Sequence, residues 1–317
     1  MKAFPCERAH RLAESQREES WLIEGLWSER AVGIVGGEPK CCKSFLALDM
    51  AVSVASGRPF LRRFDVRRPG PVLVYAAEDP LHVVRARLCG IASAAGTSFE
   101  ELDVHVITVP RLRLDQGEDC SRLRETVAMF RPRLLVLDPF IRLHRIDENV
   151  AGDVAPLLES LRSLERGFEL AVVLVHHARK GAGGLRGGQA LRGSSELHAW
   201  GDSNLYLRRR DRELLLSVEH RAAASHAGEI ALELREDGDA LALHVVQEQA
   251  DPCARAVRVS PEQRVLQALE GAERSVTARE LRTLCRMRTS AVSAALAGLM
   301  EQQLVLRNER GYRVAPA

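Results

Sequence analysis

The chain has 317 residues, 46% hydrophobic and 28% charged, the balance of a folded globular protein rather than a disordered one. A net charge of +2 excludes a global basic field, so any nucleic-acid surface must be local. No apolar run approaches the roughly 18 residues of a membrane span, and seven scattered cysteines form neither a disulfide framework nor a C-x-x-C metal pair.

The N-terminal segment, residues 1–20, is polar and without an apolar signal core, which predicts a cytoplasmic protein with no membrane partner. The first 30 residues are expected to be helical in part, ending in WLIEGLW. AVGIVG (31–36) then reads as a buried strand, and SFLALDMAVSVASG (44–57) carries helical spacing with Gly57 as its stop. Between them, GEPKCCKS nearly matches G-x-x-x-x-G-K-[ST], the loop whose backbone amides and helix N-terminus hold phosphate oxygens. Gly37, Lys43 and Ser44 take the first, seventh and eighth places, and Cys42 stands where the second glycine is usual. Gly37, Glu38, Pro39, Lys40, Cys41, Cys42, Lys43, Ser44 and Phe45 are the candidate nucleotide-binding residues. The chain has only four lysines (Lys2, Lys40, Lys43, Lys180) against 41 arginines. A lysine at the seventh place is therefore informative, because the loop needs a compact ammonium on a flexible stem.

PVLVYAAED (71–79) predicts a second strand, followed by a helix, a third strand VHVITV (104–109), and a helix over 119–130 capped by Asp119 or Ser121. LLVLD (134–138) is a fourth strand, 153–167 a helix, and LAVVLVHH (170–177) a fifth strand. Strands alternating with helices at this spacing imply an α/β fold with a mostly parallel, doubly wound sheet. Past Arg192, SNLYLRRR, ELLLSVEHR, IALELRED and ALALHVV read as an antiparallel extension. Residues 21–248 form the expected core and residues 249–260 a linker. Residues 261–317 then place three helices before a hairpin, the order of a winged helix-turn-helix, with Thr277 and Glu280 at capping-box places.

The chemistry needs three further groups. Asp138, 95 residues after Lys43, ends an apolar strand where a carboxylate can join Ser44 in holding Mg²⁺. Glu78, or its neighbour Asp79, can polarise the attacking water, although the same pair also reads as an acidic helix cap. His177 can hydrogen-bond a γ-phosphate, whereas His176 reads equally well as structural. The segment 178–197 carries six glycines with Arg179, Lys180, Arg186 and Arg192, which suits a loop touching DNA backbone or simply a solvated loop. In the C-terminal unit, nine Arg against six Asp/Glu over residues 261–317 are compatible with DNA. Arg286, Arg288, Thr289, Ser290 and Ser293 surround the start of the expected recognition helix, though a protein-interaction module stays open.

GEPKCCKSFLALDMA, YAAEDP, LLVLDPF, VLVHHARK and LRGSSEL occur in the order seen in RepA-like plasmid replicative helicases, of the RecA/DnaB-like branch of P-loop ATPases, and the chain resembles them over about residues 20–248. The resemblance implies a RecA-like core, usually hexameric, with ATP and Mg²⁺ bound between subunits. It implies Lys43 and Ser44 as the Walker A pair, Asp138 as the Walker B aspartate, Glu78 as the catalytic glutamate and His177 as the γ-phosphate sensor. Arg221, in LLLSVEHR, falls where that pattern places a finger entering the neighbour's site, and Arg192 competes for the role. Two readings follow: a DNA-dependent ATPase motor that translocates on or unwinds DNA, or a slow nucleotide-dependent DNA-binding switch. A thiol-redox sensor using Cys41 and Cys42 is a third.

Overall fold

The computed structural model describes residues 6–8, 20–177, 195–210, 213–221, 228–237, 240–246, 261–270, 274–285, 289–301, 304–308 and 311–315. The chain divides into two compact units, Met1–Val246 and Gln247–Ala317. Among the described residues no helix is long and apolar enough to cross a membrane.

A small hairpin, β1 (Trp21–Ile23) and β2 (Trp27–Ser28), occupies the end of the stretch expected to be helical in part, whose residues 1–5 and 9–19 lie outside the described residues. The segment is short, and Leu22, Ile23, Leu26 and Trp27 are fully buried in the main core, so tertiary contact decides its form. The core elements then run β3 (Val32–Gly37), α1 (Lys43–Ser56), β4 (Val72–Ala76), α2 (Leu81–Ala94), β5 (Val104–Val106), α3 (Gly117–Phe130), β6 (Leu134–Asp138), α4 (Ala151–Phe168) and β7 (Ala171–His177). After these come α5 (Ser195–Trp200), β8 (Ser203–Arg210), β9 (Glu213–His220), β10 (Ile230–Asp237) and β11 (Ala240–Val245).

One nine-stranded sheet joins them in the order β11-β10-β9-β8-β3-β7-β6-β4-β5. The pairs from β8 to β5 are parallel and those from β8 to β11 antiparallel. The parallel strands are near-continuous apolar runs because helices cover both faces. On one face α1 and α2 close a core with Leu46, Met50, Val54, Leu88 and Ile91. On the other, Leu123 and Val127 of α3 pack with Val154, Leu157, Leu158, Leu161 and Leu164 of α4, the inward stripe of a 3.6-residue period.

β3 and β8 lie so close that a β-carbon on Gly33 would sit 1.7 Å from the Ser203 carbonyl oxygen, so only glycine fits there. β5 is shorter than expected, because among the described residues it is an edge strand paired only with Val72–Val74 of β4. Helix α3 starts before Asp119: the N-cap is Gln116, without a side-chain cap, and Asp119 instead accepts a hydrogen bond from the Arg113 amide at 2.8 Å. Ser121 donates its hydroxyl hydrogen back to the Gly117 carbonyl at 2.9 Å.

The second unit has its own core of Val265, Leu269, Leu281, Val292, Leu296 and Leu299. These come from α6 (Pro261–Glu270), α7 (Ala278–Leu284) and α8 (Thr289–Glu301), followed by the antiparallel pair β12 (Val305–Asn308) and β13 (Gly311–Val314). The α7 start is a capping box: Glu280 Oε2 accepts from the Thr277 amide at 2.8 Å, and Thr277 Oγ1 accepts from the Glu280 amide at 3.3 Å.

Candidate active site

Four adjacent parallel strands, β3, β7, β6 and β4, bring their C-terminal ends to one side of the sheet. Gly37 pairs with His177, and Ala76 pairs with Asp138, so the register itself aligns the groups. They open onto a cavity of about 320 Å³ lined by Lys43, Ser44, Glu78, Asp79, Asp138 and His177, with residues 40–42, Phe45, Ala76, Arg87 and Val175.

The loop between β3 and α1 needs glycine at its first place. Gly37 has φ 155°, and a β-carbon there would stand 2.2 Å from the Leu207 carbonyl oxygen and 2.7 Å from the Cys41 sulfur. Its other turns use non-glycine residues in the left-handed region, Lys40 at φ 64° and Cys42 at φ 62°, ψ 25°. Cys42 therefore stands where the usual second glycine has its conformational reason. It is also the N-cap of α1 and makes no side-chain cap bond, so the first amides of the helix keep no side-chain cap and α1 carries no acidic residue in its first turn. That leaves a positive helix end suited to an anion.

Lys43 is buried, and its Nζ donates to the Glu38 carbonyl at 2.7 Å, folded back on its own loop. Burial holds its ammonium below the ordinary lysine range. Burial also pushes the thiols of Cys41 and Cys42 up, away from the thiolate form, which disfavours the redox reading.

Asp138 is 8% exposed. Burial first, with Asp79 and Glu78 beside it, pushes its carboxyl up to about 6, against a hydrogen bond from Ser44 and the charge of Lys43. A hydroxyl and a carboxylate held together supply two hard oxygen donors. That set fits Mg²⁺, which keeps waters and phosphate oxygens as its remaining ligands. Asp79 is tied to the guanidinium of Arg87, which lies 4.9 Å over the Phe45 ring. Glu78 accepts through Oε1 from Arg142 Nε at 3.0 Å.

The alternation of β7 separates the two histidines. His176 is buried, edge-on to Phe140 at 5.8 Å, whereas His177 lines the cavity. Burial, then Lys43, pulls the His177 pKa down, so its imidazole is neutral at pH 7. Its Nδ1 has no hydrogen-bond partner among the described residues.

Arg221 is not brought to this cavity. It follows β9 at the opposite end of the sheet, where its amide donates to the Asp202 carbonyl at 2.9 Å and its side chain engages the Ala199 carbonyl and the Asp202 carboxylate. Its side chain remains 55% exposed. Arg179, Lys180, Arg186, Arg192, Arg286 and Arg288 lie outside the described residues, and Thr289, Ser290 and Ser293 fall on the first turns of α8. Sequence reasoning missed Arg87 and Arg142. The available signals were the position of Arg87 eight residues after Asp79 and that of Arg142 four after Asp138.

A family model described as an AAA domain matches residues 2–183, more than half of the chain. Among solved structures, an isolated ATPase domain superposes with a TM-score of 0.53 at 14% identity, covering 68% of this chain and 86% of that one. A DnaB-like replicative helicase, solved with regard to its interactions with primase, gives 0.51 at 14% identity over 68% of this chain and 57% of its own. The RadB recombinase gives 0.50 at 18% identity over 69% and 92%. At these identities the likeness speaks to fold alone. The chain belongs to the AAA domain family and has the α/β core of a RecA-like P-loop ATPase.

Proposed function

We propose that the protein is a DNA-associated ATPase, a RepA-like helicase or translocase working as a ring of six copies, that hydrolyses ATP at subunit interfaces. The observation that carries the reading is the convergence of Lys43, Ser44, Asp138, Glu78 and His177 on one cavity. Lys43 and the α1 amides receive the β- and γ-phosphates. Ser44 and Asp138 would hold magnesium, which when bound would supply positive charge to offset the phosphates. Glu78 accepts a proton from water as its oxygen bonds to the γ-phosphorus, and the β–γ bridging oxygen leaves with ADP. His177 contacts the γ-phosphate, and Arg221 reaches the site of a neighbouring copy, with Arg192 as the alternative. Residues 261–317 act as a winged helix meeting duplex DNA through Arg286, Arg288, Thr289, Ser290 and Ser293. Arg179, Lys180 and Arg186 track single-stranded DNA.

The second reading, a slow nucleotide switch without unwinding activity, is favoured by the left-handed Cys42 in the loop. The test is ATPase turnover with and without single-stranded DNA, beside an unwinding assay. The motor predicts stimulation by DNA, lost in Lys43→Ala and Glu78→Gln; slow, DNA-independent turnover supports the switch. Mixing Arg221→Ala with Lys43→Ala subunits restores part of the activity if Arg221 acts in trans, and absence of restoration leaves Arg192 as the candidate.

A further inference from the structure

We propose that Arg142 is a positioning residue for Glu78, holding the carboxylate toward the attacking water; this rests on the reading of Glu78 as the base. Glu78 lies past the end of β4 on a segment without regular structure, with a side chain 45% exposed. An unrestrained glutamate there samples several rotamers, and few of them aim an oxygen at a γ-phosphate.

The restraint comes from the neighbouring strand. β4 and β6 are paired through Ala76 and Asp138, and the Ala77 amide donates to the Asp138 carbonyl at 2.7 Å. Directly after Asp138 the chain makes a 3-10 turn over Phe140–Arg142. Phe140 anchors it, fully buried with its ring 4.4 Å from that of His144 and 5.8 Å from that of His176. The Arg142 amide donates to the Pro139 carbonyl at 3.1 Å, and the Leu143 amide to the Phe140 carbonyl at 2.8 Å. Arg113 Nη1 donates to the carbonyls of both Arg142 and His144, at 2.9 and 2.6 Å. The backbone that carries Arg142 is thus fixed on both sides, and its Nε reaches Glu78 Oε1 at 3.0 Å.

Two consequences follow from the chemistry. The single contact uses Oε1 and leaves Oε2 to take the proton from water. The donor is a planar guanidinium with a fixed N–H direction, which an ammonium does not reproduce. Because the pair is half-exposed, it adds little to stability, so its removal tests orientation rather than folding.

The experiment compares Arg142→Ala, Arg142→Lys and Glu78→Gln, alone and combined, in the full chain by steady-state ATPase kinetics with thermal unfolding alongside. Misplacing a reacting group by about 1 Å costs on the order of 10²-fold. Arg142→Ala is therefore expected to lower kcat by roughly 10- to 100-fold with KM for ATP and the Tm nearly unchanged. Arg142→Lys recovers part of the loss. In the Glu78→Gln background, Arg142→Ala changes the residual rate by less than about twofold, the signature of two residues acting through one step. A wild-type or raised kcat in Arg142→Ala, or full additivity with Glu78→Gln, overturns the proposal. If Glu78→Gln turns over like the wild type, the fault lies in the reading of Glu78. If it is inactive while Arg142→Ala is not impaired, the fault lies with Arg142 alone.

Discussion

Replacing Cys42 by glycine isolates the oddest residue of the loop. At φ 62° and ψ 25° a residue with a β-carbon costs about 1–2 kcal/mol, which glycine relieves. Against that, glycine adds about 0.4–1 kcal/mol of conformational freedom to the unfolded chain. The half-buried thiol also gives up its packing against the α1-face core. The terms nearly cancel, leaving a change between about zero and 1 kcal/mol in favour of Cys42→Gly. For a unit of this size that is a rise in Tm of roughly 0–4 °C. The assay is thermal unfolding without nucleotide, with ATP affinity measured by titration and expected to hold within about tenfold, or 1.4 kcal/mol. Cys42→Ala is the control, since it keeps the β-carbon in the left-handed region and removes only the sulfur. A fall in Tm of more than about 5 °C in Cys42→Gly, with Cys42→Ala unchanged, refutes the reasoning, because the loop would then need the β-carbon it was argued to tolerate. A large rise in turnover instead marks Cys42 as a brake and moves the switch reading forward.

Gly37→Ala forces a β-carbon within 2.2 Å of the Leu207 carbonyl oxygen, so the loop must shift; loss of ATP binding and about 1–3 kcal/mol of stability are expected in titration and denaturant unfolding. Asp138 has a native carboxyl raised to about 6 from an unfolded value of 3.8, so the native state holds its proton more tightly. Its contribution to stability is complete below about pH 4 and is lost as pH rises through about 6, a change of up to about 3 kcal/mol. Asp138→Asn is therefore more stable than the wild type at pH 7.5 without nucleotide or Mg²⁺, equal to it near pH 4, and inactive as an ATPase; parallel pH–stability curves for the two proteins contradict this.

The order of strands and helices in the core was legible because buried parallel strands are unbroken apolar runs, as in VLVYA and AVVLVH. Their common direction also brings every strand end, and with it Asp138 and His177, to one side. What was not legible depends on side chains meeting across the sheet. Arg142 is one of 41 arginines, and nothing in DPFIR indicates that the next strand delivers Glu78 to its Nε. Arg87 reaches Asp79 and Phe45 only because α2 folds back over the loop. The hairpin at Trp21–Ser28 was hidden for a related reason: its apolar residues serve the main core rather than a periodicity of their own. Asp119 has the chemistry of an N-cap, yet the amide it satisfies belongs to Arg113 in the preceding loop.

Arg221 stands level with the start of β3, since its partner Asp202 donates its amide to the Val32 carbonyl at 2.8 Å. The phosphate loop begins at the other end of that six-residue strand, about 17 Å away at 3.3 Å per residue. A copy built this way has a donor edge and an acceptor edge that cannot meet. If Arg221 serves a neighbour, a two-fold pair serves both sites only by burying Arg221 and the loop in one shared interface, each against the other copy's counterpart. In a head-to-tail contact the two lie on different faces, and each added copy exposes a fresh acceptor. Such a series ends only when rotation between neighbours closes it, so ring or filament is decided by the tilt of one interface, not by any residue in the pocket.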